Sequence, residues 1–115
     1  MLNILRDKLN EIDKNVFYGV AGSVEDVGNI WNYIVFGRSV MRPNDTKTAF
    51  TDVYKVAVVR ENYIPEGLID DVINKVEECG LRLSDDDAEY EYSRKNDDTA
   101  VEMLILTFCK SKRRC

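Results

Sequence analysis

Leu2, Leu5, Leu9 and Ile12 fall three, four and three apart, the spacing that lines one face of a helix. Arg6, Asp7, Lys8, Glu11 and Asp13 take the other faces, so the pattern predicts a helix over 2–14 that stops near Asn15. The pattern then shortens. "VFYGV" (16–20) is apolar and β-prone and predicts a short strand, and "AGSVEDVGN" (21–29) carries turn formers and reads as a loop or a single helical turn. "IWNYIVFGR" (30–38) is apolar on both alternating sets, which predicts a central strand covered on both sides. In "SVMRPNDTKTA" (39–49), Pro43 and Asn44-Asp45 break regular structure, and a mobile loop is expected.

"FTDVYKVAVVREN" (50–62) alternates again. Phe50, Asp52, Tyr54, Val56 and Val58 share one face of a strand, and Val53, Ala57 and Val59 share the other. Pro65 ends the strand, and Leu68, Ile69, Val72, Ile73, Val76 and Cys79 form the stripe of a helix over 66–79. Glu66, Asp70 and Asp71 suit its N-terminus, and Gly80 suits a left-handed cap at its end. "LRLSDDDAEYEYSRK" (81–95) predicts a strand interrupted or bulged around Asp85–Asp87, in which Glu89, Glu91 and Ser93 alternate with Tyr90, Tyr92 and Arg94. "NDD" (96–98) reads as a turn, and "TAVEMLILTFCK" (99–110) as a long last strand closing a hairpin. The order α-β-β-β-α-β-β predicts an α+β domain over 1–109: two helices packed on one mostly antiparallel sheet. The helical crossover leaves the third and fourth strands able to run parallel.

Composition narrows the chemistry. The chain has 115 residues, enough for one domain with a real core, and no apolar run near the length of a membrane span. Its first residues are charged throughout, which predicts a protein that stays in the cytosol of the cell that makes it. There is no His, so no Ser-His or Cys-His nucleophile pair can form, and Cys79, Cys109 and Cys115 are too few and too scattered for a structural zinc site. Cys79 and Cys109 are expected in or near the core, and Cys115 in an exposed tail. Asp85–Asp87 lacks the alternating ligands of a calcium loop and reads as a solvated acidic turn. Glu89 and Glu91, with Glu102 on the facing strand, could form a carboxylate set, but they fit the wet face of a hairpin better.

Net charge is −5, unevenly spread. Residues 110–115, "KSKRRC", hold four basic groups and no acid, which leaves 12 basic against 21 acidic groups in residues 1–109. An acidic body disfavours nucleic acid as a main ligand. The tail is either a disordered end or an arm for an acidic surface. The 39–49 loop is longer than ordinary hairpin connections and brings basic residues to an acidic protein. Arg38, Met41, Arg42, Asn44, Lys47, Lys110, Lys112 and Arg113 are therefore the candidate contact residues.

"WNYIVFGR", a polar loop, "DVYKVAVVRENYIPEGLIDDVINKVEECGLRL" and "YEYSRKNDDTAVEMLILTFCKSKR" together resemble the tail terminator (tail completion, head–tail joining) proteins in the neck of long-tailed bacteriophages and prophages. The likeness runs from about Trp31 to Arg113 and rests on shape and order, not on catalytic signatures. It implies a structural protein with no catalysis and no cofactor. Such a protein forms a ring, expected to be a hexamer, that caps the tail tube and meets the connector proteins of the head. It would assemble in the host cytoplasm and end in the virion. Two other readings stand beside it: a small acidic module that binds one partner one-to-one, as inhibitors and immunity proteins do, and a metal-dependent nuclease using Asp85–Asp87 and nearby glutamates.

Overall fold

A computed structural model describes residues 1–19, 32–43, 50–85, 87–94 and 99–110. It is α+β. Helices α1 (Leu2–Asn10) and α2 (Leu68–Glu77) accompany strands β1 (Val16–Tyr18), β2 (Tyr33–Pro43), β3 (Phe50–Glu61), β4 (Arg82–Leu83), β5 (Tyr90–Arg94) and β6 (Ala100–Lys110). The sheet runs β1-β2-β3-β6-β4, with β5 paired to the same side of β6 as β4 but further along it. All pairings are antiparallel except β1 with β2. Since β3 and β4 both run against β6, they are parallel to each other, as the helical crossover allowed.

The register sorts the side chains. Ile34 of β2, Val58 of β3 and Leu104 of β6 form one cross-strand row, and Phe36, Val56 and Leu106 form the next. These rows lie under the helices and join Leu5 and Leu9 of α1 and Val72 and Val76 of α2 in one buried cluster with Tyr54 and Phe108. The helix stripes read from the sequence are therefore the core-facing stripes. At roughly 25 cal/mol per Å² of apolar area, burying this set is the main favourable contribution to folding. The helices also touch at their rims: Lys8 Nζ lies 3.1 Å from Glu78 and Lys75 Nζ 3.1 Å from Glu11. These side chains are one-third to one-half exposed, so the pairs orient the helices more than they stabilise them. The amine of Lys8 is raised and the carboxyl of Glu78 lowered, each mainly by their mutual hydrogen bond.

Several expectations change. Residues 39–43 are not loop: β2 continues to Pro43, pairing Val40 with Val53 and Arg42 with Thr51. An irregularity between Arg38 and Val40 re-phases the strand, so two successive polar residues, Arg38 and Ser39, do not end it. Pro43 is tolerated because it is the strand's last residue. Nor is this strand covered equally on both sides. Ile34 and Phe36 are buried under the helices, while Tyr33 and Val35 stay partly exposed on the other face. Trp31 and the 21–29 segment lie outside the described residues. The helix expected over 2–14 ends at Asn10, and the second helix starts at Leu68, after a turn in which the Leu68 amide donates to the Pro65 carbonyl. The interrupted 81–95 strand is two strands, β4 and β5.

Gly80 adopts φ 92°, the left-handed conformation expected beyond the helix. A Cβ there would meet no heavy atom within 4 Å, so only backbone strain opposes a side chain. Gly80→Ala should cost about 1–2 kcal/mol and Gly80→Asn less, as measured by urea unfolding. Equal cost for the two would mean that packing, not backbone conformation, sets the preference.

Candidate interaction surfaces

The sheet face away from the helices carries Phe17, Tyr33, Val35, Ala57, Met103 and Ile105, all partly exposed, among buried Val53, Val59, Val101 and Cys109. Two depressions lined by described residues open on it. One, of about 460 Å³, is lined by Tyr33, Val59 and Met103, by Val101, and by Glu91, Tyr92 and Ser93 of β5. Register explains this: Tyr33, Val59, Met103 and Glu91 form a single row across β2, β3, β6 and β5. Glu91 is the one charged side chain among the described lining residues. The second depression, of about 280 Å³, includes Val35, Ala57 and Ile105 with Lys55 beside them, while Arg38, which also borders it, turns its side chain to Tyr18 on the helix side of the sheet. One depression thus carries an acid, Glu91, and the other a base, Lys55.

β5 is exposed along its whole length and has no described strand on its outer side. Tyr90 is 51% exposed and Tyr92 66%, and Tyr63, near the end of β3, is 68% exposed. Tyrosines this open are uncommon on an inert surface and common in protein interfaces. Glu102 anchors this region. Its carboxylate accepts the Ile64 amide at 2.8 Å and the hydroxyl of Tyr92. The strand-side reading had Glu102 joining Glu89 and Glu91. Instead Glu102 pairs across with Tyr92 and Glu91 with Met103, so Glu102 and Glu91 point to opposite faces and form no acid–base pair.

The bond to Glu102 is the main cause raising the Tyr92 phenol above its ordinary value. A raised folded value means the interaction is fully present below the ordinary phenol range and is lost as pH rises through the Tyr92 titration. Tyrosinate absorbance should accordingly show one surface tyrosine ionising late, and Glu102→Ala should bring it back. An unchanged titration curve in that variant would exclude the bond.

The sequence-predicted contact residues scatter. Arg38 is exposed on β2, and its Nε donates to the Tyr18 hydroxyl at 3.2 Å. Met41 and Arg42 belong to β2 and not to a loop, so deleting residues 40–48 would remove strand as well as connection. Lys110 is exposed at the end of β6. Asn44, Lys47, Lys112 and Arg113 lie outside the described residues. Cys109 is buried and Cys79 partly buried, as expected, and burial is the main cause raising the Cys79 thiol. The tyrosines of β5 and the open sheet face were missed. Their signal was present in "YEYS": an alternation with tyrosine on one side and acid or serine on the other leaves neither side plainly apolar.

Among the described residues, no group of three or more His, Cys, Asp or Glu is placed to hold a metal ion, and no helix is long and apolar enough to cross a membrane. Neither a known protein-family model nor a curated protein sequence matches the chain.

Proposed function

We propose that this chain is a structural subunit of a phage or prophage tail neck. It acts as a tail terminator: copies close into a ring, expected to be a hexamer, that caps the tail tube and meets the connector proteins of the head. The α+β order supports this, as does the sequence resemblance. The observation that carries it is the polarity of the sheet face, with Glu91 at the depression on the β5 side and Lys55 at the depression on the β2 side. Surfaces of unlike charge on one monomer favour head-to-tail contacts over two-fold contacts, and head-to-tail contacts close into rings when the rotation permits. No catalytic step is assigned, and the protein works by shape and multivalent contact. Assembly takes place in the host cytoplasm and the finished ring belongs to the virion.

Native mass spectrometry of the full chain over a wide concentration range tests this. A closed ring of six supports the reading. A chain that stays monomeric alone and with tube protein, yet binds a single partner one-to-one, overturns it in favour of an acidic inhibitor-type module, which the exposed Tyr63, Tyr90 and Tyr92 would equally suit.

A further inference from the structure

The edge of β5, which carries no strand on its outer side among the described residues, and the depression beside it describe their own occupant. An open edge strand accepts another extended chain through backbone hydrogen bonds, and flanking pockets then select alternate side chains. Here the floor of the pocket is apolar, made by Val59, Val101 and Met103, and Glu91 at its β5 wall is the one carboxylate among its described lining residues. That combination suits a long cationic side chain, whose methylene stem lies on apolar surface while its head meets the acid. Glu91 is exposed and has no ion-pair partner among the described residues, and the same holds for Asp85, Asp87 and Glu89 leading into the strand. Tyr90 and Tyr92 present exposed rings on the opposite face, where a guanidinium could stack. The same acids disfavour pairing of two β5 edges with each other. The occupant is therefore an extended segment with basic residues on both of its faces.

The chain contains such a segment. "KSKRRC" (110–115) contains no acid, and docked as an extended strand it would put Lys112 and Arg114 on one face and Arg113 on the other. It cannot serve β5 of its own molecule. Tyr90 pairs with Leu104 and Arg94 with Ala100, so β5 begins roughly 20 Å and ends roughly 34 Å back along β6 from Lys110, at about 3.4 Å per residue. Residues 111–115 reach at most about 18 Å past Lys110 when fully extended. They would have to reverse direction and still could not run along β5.

We infer that the C-terminal segment 110–115 of one copy docks on the β5 edge of a second copy, adding a strand there, with a basic side chain in the depression beside Glu91. This contact is head-to-tail and rests on the reading that copies of the chain assemble. It would link each subunit of a ring to the next through a swapped tail.

Disulfide trapping tests it, with native mass spectrometry run beside it. A tagged chain carrying Ser93→Cys and Cys115→Ser is mixed with the unmodified chain, whose Cys115 is in its tail, and the pair is mildly oxidised. Ser93 pairs with Val101, roughly 30 Å along β6 from Lys110, so any bond at this site comes from another molecule. The expected result is a mixed disulfide at least ten-fold above that from Asn3→Cys, an exposed position on α1. Replacing Lys112, Arg113 and Arg114 by Glu should reduce that yield at least ten-fold, and adding Glu91→Lys should recover part of it. Equal trapping at Ser93→Cys and Asn3→Cys overturns the inference. If a closed ring is present in that case, the ring reading stands and only the tail contact falls. Strong trapping without a closed ring supports the contact and removes the ring.

Discussion

Phe36→Ala is expected to lower the free energy of unfolding by about 3–5 kcal/mol, the range for removing a buried aromatic ring. Phe36 is 1% exposed and sits where sheet and helix meet. The Tyr18 ring packs edge-on at 5.3 Å, and the Arg6 guanidinium of α1 lies 5.6 Å from the ring centroid. Its row partners Val56 and Leu106 are equally buried. No single neighbour can collapse into the space, because each is held by its own strand or helix. A domain of this size has only about 5–15 kcal/mol in total, so the variant should be barely folded, with a Tm lower by on the order of 10–20 °C. Phe36→Leu keeps most of the volume and should cost about 1–1.5 kcal/mol. Urea unfolding of the three chains decides the point. A cost below about 1 kcal/mol for Phe36→Ala would mean that the α1–sheet packing is loose.

The elements with an uninterrupted period were legible from the sequence. Residues 50–61 alternate without a break, and β3 occupies them. Leu68, Val72 and Val76 mark α2, and Gly80 takes the left-handed turn predicted for it. The failures have a common cause: local composition was overridden by pairing partners distant in the chain. Arg38 and Ser39 break the alternation of β2, and Pro43 looks like a terminator, but β3 offers a backbone ladder as far as Phe50 and the strand uses it. Likewise nothing near Glu102 indicates which face it occupies. That is decided by its pairing with Tyr92 and by the Ile64 amide, both remote in sequence. The proposed contact surface was legible only in part. Charge counting found the basic tail, whereas the acid-rimmed depression exists only once Tyr33, Val59, Met103 and Glu91 are brought into one row.

Asp13 and Arg60 are the clearest case of a determinant with no local signal, and removing one of them should have the second-largest effect. Arg60 Nη2 lies 2.8 Å from Asp13 Oδ2, with the two side chains only 12% and 9% exposed. Nη1 also donates to the carbonyls of Val59 at 2.8 Å and Tyr33 at 3.3 Å, and Asp13 Oδ1 accepts the Asn15 amide at 2.9 Å. The pair therefore fastens the connection between α1 and β1 onto β2 and β3. Arg60→Met leaves the Asp13 carboxylate nearly buried with the Asn15 amide as its remaining described donor, and should cost about 3 kcal/mol. Asp13→Ala should cost less, because Arg60 keeps two carbonyl acceptors. The double variant should cost less than the sum of the single ones by about 1–3 kcal/mol, since neither charge is then stranded. Additive costs in that cycle would mean the two side chains act independently despite their separation. The location of the pair adds a second readout. It holds β1 beside β2, and Arg38 of β2 bonds to Tyr18 of β1. Arg60→Met should thus loosen the β1–β2 edge while leaving the Glu91 side of the sheet intact. Hydrogen exchange should quicken at Gly19 and Ile34, whose amides donate across this junction, before it quickens along β6.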